Sequence, residues 1–144
     1  MPAVITVAED DLVPFGPIVD LTVGVPMQLG RWLHHQGQVV PPPRKIKAVI
    51  DTGAEWCAFK KQVFWDLMLE PHDVARICTA SHEESRDVYD VALTFDGHRI
   101  EGVTAIESPL TGCTVEGLIG RDVLQRALFV YDGRRNAFQL TFFP

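Results

Sequence analysis

No apolar run in this 144-residue chain approaches the roughly 20 residues of a membrane-spanning helix, so a helical membrane anchor is excluded from the sequence as given. Positive charge is scarce. Thirteen Lys and Arg stand against nineteen Asp and Glu, a net charge of -6, and the pairs Lys60-Lys61 and Arg134-Arg135 are isolated. Phosphate backbones are held by clustered cations, which argues against a nucleic-acid partner. The amino terminus, Met1-Pro2-Ala3-Val4-Ile5 and then Glu9-Asp10-Asp11, has neither the basic start nor the apolar core of a secretory signal, and a cytoplasmic protein is expected. Three cysteines, Cys57, Cys78 and Cys113, are odd in number and widely spaced, which fits neither a disulfide framework nor a zinc site. They read as small buried thiols. Repeats are absent, and the only biased segment is Pro41-Pro42-Pro43.

What remains is an ordinary globular composition, 47% hydrophobic and 22% charged, long enough for a single domain over residues 1–144. Residues 1–17 read as an N-terminal arm. Strand patterns dominate. Ile18 to Val25 alternates and ends at Pro26, and Lys45 to Ile50 becomes continuously apolar, as a strand buried on both faces does. Between them Met27 to Pro43, with Gly30, Gly37 and the proline run, reads as a long surface loop at the tip of a hairpin, carrying His34 and His35 as a solvated pair. Val63, Phe64, Leu67 and Met68 mark one helical face within Lys60 to Leu69, stopped by Pro71. Val74 to Thr79, Arg86 to Phe95 and Arg99 to Ile106 follow as a three-stranded meander, with tips at Ala80 to Ser85 and at Asp96-Gly97. A short amphipathic stretch runs to Ala127. Leu128 to Tyr131 and a closing strand through Phe138, Leu140 and Phe142 complete the chain, and so apolar a terminus needs cover from the core or from a second subunit.

Two segments carry chemistry. Ala48-Val49-Ile50-Asp51-Thr52-Gly53-Ala54 ends an apolar strand in Asp-Thr-Gly, which lifts a carboxylate out of the core at a fixed angle, with Gly53 allowing a backbone excursion closed to bulkier residues. Taken alone, it is as well explained by an Asx turn at a strand end. Far down the chain, Gly117-Leu118-Ile119-Gly120-Arg121-Asp122-Val123-Leu124 reads as a buried strand passing close to another backbone before turning into a helix. Together, in this order and in a chain of this length, the two segments resemble the retropepsin-like aspartic proteases, most closely their small soluble bacterial members. The resemblance spans roughly Ile18 to Phe143 and is strong only at Ala48 to Glu55 and Gly117 to Leu124. It implies an all-β fold, a closed β-barrel with one short C-terminal helix, forming a homodimer.

It also implies roles. Asp51, Thr52 and Gly53 would form the catalytic turn, with Thr52 bonding across the dimer axis. Ala54, Glu55 and Trp56 would contact substrate, together with Ala80, Ser81 and His82 at the tip of a hairpin flap spanning Val74 to Val91. Leu118, Ile119, Gly120, Arg121 and Asp122 would support the turn, Arg121 by pairing with Glu55. The flap departs from those of viral members, which are rich in glycine; this tip has none and carries His82, Glu83 and Glu84. Trp56 replaces a second acidic residue common in viral members, while core packing is the ordinary role for Trp56, Phe59 and Trp65.

Two carboxylates sharing a proton can deprotonate water and polarise a peptide carbonyl at once, and this chemistry calls for no metal and no cofactor. The chain has a single Asp-Thr-Gly, since Asp96-Gly97 and Asp132-Gly133 lack the threonine. The second carboxylate must then come from a second copy of Asp51 across a two-fold axis. An aspartic endopeptidase acting on proteins or peptides is the leading reading. A retropepsin-like dimerisation or peptide-binding module is the alternative, and a barrel binding a small apolar ligand leaves the Gly-Arg-Asp segment without a role.

Overall fold

A computed structural model describes residues 3–8, 12–78 and 80–144, with residues 3–8 as backbone only. Ten strands and four short helices follow one another among these residues. The barrel is built from β2 (Ile18–Gly24), β3 (Arg44–Ile50), β8 (Gly117–Ile119), β4 (Cys57–Phe59), β7 (His98–Glu107) and β6 (Glu83–Phe95), paired in that order, and the pairing of β2 with β6 closes it. β5 (Asp73–Cys78) extends β6 outward as a hairpin. A separate three-stranded sheet places β10 (Ala137–Phe142) between β1 (Ala3–Ala8) and β9 (Ala127–Asp132). The expected N-terminal arm thus contains a strand that runs antiparallel to the C-terminal one, from Ala3 opposite Phe142 to Ala8 opposite Ala137.

Alternation explains most of this. Phe138, Leu140 and Phe142 of β10 are buried in the protein's own core, where Phe142 meets Phe95 with ring centroids 4.9 Å apart. Among the terminal aromatics, Phe143 stays exposed. In β3, Ile46, Ala48 and Ile50 point inward while Lys45 and Lys47 face solvent, so the strand is buried on one face only, contrary to the pattern expected of it. Asp96 and Gly97 both take positive φ, 45° and 82°, the geometry of a tight two-residue turn between β6 and β7. A register shift between Val91 and Leu93 lets β6 bend away from β7 and reach β2, where Ala92 faces Gly24.

The expected loop over Met27 to Pro43 contains a helix, α2 (Met27–His35). It still bridges an antiparallel pair, β2 and β3. The helix forms because Pro26 takes the position before the first turn, and Met27, Gln28, Leu29, Arg31 and Leu33 are good helix formers around Gly30. None of its residues is buried, and His34 and His35 occupy its last turn. Helices therefore number more than the two expected, within Lys60 to Leu69 and after Gly120: α1 (Leu12–Phe15), α2, α3 (Lys61–Asp66) and α4 (Arg121–Leu124). α4 ends before Ala127, which already belongs to β9. α3 matches its apolar face and is pinned by Phe64, whose ring stacks on Tyr89 at 3.9 Å between centroids. β6 begins at Glu83, so the hairpin tip is shorter than the expected Ala80 to Ser85; Thr79 lies outside the described residues.

Candidate active site

β8 threads between β3 and β4, parallel to the first and antiparallel to the second. The segment joining β3 to β4, Asp51 to Trp56, must therefore arch over the end of β8, and it carries the Asp-Thr-Gly turn. Two glycines make the threading possible. A Cβ on Gly117 would lie 2.5 Å from the Phe59 ring, and one on Gly120 would lie 2.6 Å from the carbonyl carbon and oxygen of Trp56.

The turn is held from several sides by backbone bonds. Asp51 N–H donates to the Ile119 carbonyl at 2.9 Å, Arg121 N–H to the Ala54 carbonyl at 2.8 Å, and Asp122 N–H to the Glu55 carbonyl at 3.1 Å. Gly53 N–H donates to Oδ1 of Asp51 at 2.9 Å, the bond of an Asx turn. Gly53 does not have a positive φ, so the excursion expected of it is not a left-handed one; what a side chain there would meet is Oδ1 of Asp51, at 3.2 Å. Asp51 is half-buried, and its Oδ2 has no hydrogen-bond partner among the described residues. Thr52 is exposed beside it.

Arg121 does not pair with Glu55. Its Nη1 donates to the Thr52 carbonyl at 2.9 Å, and no ion pair joins the two side chains among the described residues. The arginine is exposed at the start of α4, where a carbonyl on the arching turn lies nearer than the exposed Glu55 carboxylate. The helix is still tied to the turn, through the main chain.

The carboxylate that locks α4 in place belongs to Asp122, and its partner is Cys57. Asp122 Oδ1 accepts from Val123 N–H at 2.9 Å and from the Cys57 thiol at 3.2 Å, while Oδ2 accepts from Cys57 N–H at 3.3 Å. Burial pushes the Cys57 thiol well above its ordinary range, and the Asp122 charge pushes it further, so it stays a protonated donor rather than a nucleophile. Only Cys57 of the three cysteines is buried; Cys78 and Cys113 are exposed, against the expectation for them. Asp122 was expected as support for the turn, but the thiol partner, 65 residues away in sequence, left no local signal.

A cleft of about 510 Å³ opens beside the Asp-Thr-Gly turn, lined on that side by Gly53, Ala54, Glu55 and Trp56, with Asp51 and Thr52 outside the lining. The hairpin of β5 and β6 faces them across it with Ala75, Arg76, Ile77, Cys78, Glu84 and Arg86, and Glu107 and Ser108 also belong to the lining. Ala80, Ser81 and His82 sit at the hairpin tip, outside the cleft lining. Trp56 is at its rim instead of in the core, and Trp65 is exposed under the Lys61 ammonium; Phe59 is in the core as expected.

Residues 39–123, more than half of the chain, match the family model described as Aspartyl protease, across both the Asp-Thr-Gly turn and the Gly-Arg-Asp segment. The chain belongs to the aspartyl protease family. No curated protein matches it significantly. Among solved structures it is similar to a retropepsin-like aspartic protease from Rickettsia conorii, with 19% identity over 99% of this chain and 92% of that one, at a TM-score of 0.61. It also matches the simian foamy virus (mac) protease, at 18% identity over 75% of this chain and 91% of that one, with a TM-score of 0.48. The first of these likenesses places the aspartyl protease chain in the retropepsin-like fold.

A larger depression of about 680 Å³ lies over β2 and β3, where Asp20, Lys45, Lys47 and Glu116 mix charges of both signs. It contains none of the residues of either family segment except their flanks. No group of His, Cys, Asp and Glu suited to a metal occurs among the described residues, and no described helix is long and apolar enough to cross a membrane.

Proposed function

We propose that the protein is an aspartic endopeptidase whose active unit is a homodimer, with Asp51 from each subunit forming the catalytic pair. The observation that carries this reading is the Asp51 carboxylate itself. It is half-buried, fixed by the turn through Oδ1, without a hydrogen-bond partner at Oδ2 among the described residues, and two residues before Gly53, which lines the cleft. The chain carries a single Asp-Thr-Gly, and an isologous dimer brings two together.

In that arrangement one Asp51 is ionised and its copy protonated, because two carboxylates in contact cannot both hold a charge. The ionised one takes a proton from water as the water oxygen bonds to the scissile carbonyl carbon, and the other gives its proton to the carbonyl oxygen. Collapse of the tetrahedral species breaks the C–N bond as the amine nitrogen accepts a proton from the pair. Thr52, exposed at the turn, bonds across the axis; Gly53 and Ala54 carry the substrate backbone; Glu55 and Trp56 border the adjoining subsite. The β5–β6 hairpin acts as the flap, with Ala80, Ser81 and His82 at its tip.

The test is Asp51→Asn, which keeps the shape of the turn and removes the base. The variant is expected to melt within a few degrees of the wild type and to lose cleavage of casein or a peptide library by at least about a thousandfold. Chelators leave the wild-type rate unchanged. Wild-type activity in Asp51→Asn, or its abolition by EDTA, defeats the proposal.

A further inference from the structure

The cleft has an apolar floor and a charged roof. Ala58, Ile106 and Leu118 are register neighbours on β4, β7 and β8, and all three line it from below. In the β5–β6 hairpin Ala75 lies opposite Arg86 and Ile77 opposite Glu84, and residues directly opposite in an antiparallel pair share a face. These four half-buried residues are the face turned to the cleft. Arg76, Cys78, Glu83 and Ser85 alternate onto the other face of the hairpin and are exposed, although Arg76 and Cys78 also border the cleft.

The acid of the roof is fully engaged. Glu84 accepts from His82 Nε2 through Oε1 and from Arg86 Nη2 through Oε2. The His82 bond is the main reason its carboxyl is held below the usual range, with the Arg86 charge adding to it, so Glu84 stays ionised as a fixed counter-ion. The base is not fully engaged. Arg86 spends one amino group on Glu84, and its Nε and Nη1 have no acceptor among the described residues, although the side chain is only 24% exposed. A guanidinium cannot shed its proton, and its planar fork matches a carboxylate.

We propose that Arg86 is a specificity-determining residue that reads the carboxylate of an Asp or Glu side chain in a peptide bound in this cleft, beside an apolar side chain received by Ala58, Ile106 and Leu118. The assignment rests on the proteolytic reading of Asp51. Glu84 orients the fork and leaves its free donors to the ligand, and of the other acidic residues lining the cleft Glu55 is exposed and Glu107 faces the Lys61 ammonium at 3.8 Å. Arg76 also borders the cleft, but its side chain is 79% exposed and lies 4.0 Å from Glu83, so solvent screens it where Arg86 is half-buried.

The experiment compares peptide pairs that differ only by Glu or Gln at each position flanking the cleaved bond. At one position the wild type is expected to prefer Glu by about tenfold or more in kcat/KM, the scale of one charge-assisted bond. Arg86→Met, which keeps the aliphatic stem, brings that ratio near one, and Arg86→Lys restores part of it. In parallel, labelled peptides are bound to Asp51→Asn and to Asp51→Asn with Arg86→Met. Tenfold tighter binding of the Glu peptide by the first alone, with no cleavage by the wild type, keeps the subsite and rejects the protease. Cleavage of Glu and Gln peptides at equal rates at every position overturns the subsite and leaves the protease standing. An Arg86→Met variant that slows both members of each pair equally also overturns it, since that is the signature of a bond to the peptide backbone. The wild-type comparison decides even if Arg86→Met fails to fold.

Discussion

Cys57 and Asp122 show how much of the candidate site depends on groups outside the cleft lining. The thiol and the amide of one residue both donate to one carboxylate, and that carboxylate starts α4 directly behind the Asp-Thr-Gly turn. Replacing Asp122 with Ala strands the Cys57 amide in the core and is expected to cost about 3 kcal/mol, read from urea unfolding. The thiol adds a pH dependence whose sign follows from linkage. Its pKa is raised in the fold, so above the unfolded value, about 8.5, the unfolded chain releases a proton that the folded chain keeps. Stability is then whole below about pH 8.5 and falls by up to about 1.4 kcal/mol per pH unit above it, until the folded thiol itself ionises. Cys57→Ala removes this component of the alkaline slope. A disulfide-exchange reagent is expected to titrate Cys78 and Cys113 in the native protein and Cys57 only on unfolding. Equal rates at all three thiols, or an unchanged slope in Cys57→Ala, contradict this account.

At the scale of elements, legibility tracks sequence distance. The Asp96-Gly97 turn, the face of α3 and the alternation of β10 are local patterns, and each is found where the residues place it. The two family segments were readable because their glycines are demanded by one contact, β8 under the arch. α2 was not readable, because it buries nothing and its short apolar pattern is broken by Gly30 and followed by prolines. The pairing of β1 with β10 depends on register between strands, which a single sequence does not display, and the Glu84–Arg86 pair, local to β6, gives no sign in the sequence of the cleft it borders. The glycines provide a test of the threading. Gly120→Ala places a methyl 2.6 Å from a main-chain carbonyl that neighbouring backbone bonds hold in place, and a cost of about 3 kcal/mol or more is expected. Gly30→Ala is the contrast. Its methyl meets Val25 and Val40 at 3.6 and 3.7 Å, ordinary contact, inside a helix, so a gain of up to about 1 kcal/mol is expected. Chemical denaturation of the two variants checks both signs, and a neutral Gly120→Ala removes the close approach from the explanation.

For the whole molecule the decisive question is whether one chain is half of an active site. The barrel buries its own Phe138, Leu140 and Phe142, so the C-terminal strand needs no partner for its core face. Leu128, Val130, Tyr131 and Phe143 nevertheless remain exposed on β9 and the final residues, and β9 has a free edge. The catalytic argument is stronger than the surface one, since a single Asp51 can supply only the base or only the acid. Subunit mixing separates the cases. If Asp51→Asn chains exchange freely with an equal amount of wild type, about a quarter of all dimers carry two Asp51 residues, and total activity falls to about half that of the unmixed wild type. Chains that act alone are indifferent to the addition. The same enzyme, diluted through its dimer dissociation constant, is expected to lose specific activity in step with its mass by sedimentation. Undiminished activity in the mixture, after exchange has been demonstrated with labelled subunits, would mean that each Asp51 works without its copy and that the second carboxylate has to be sought within one chain.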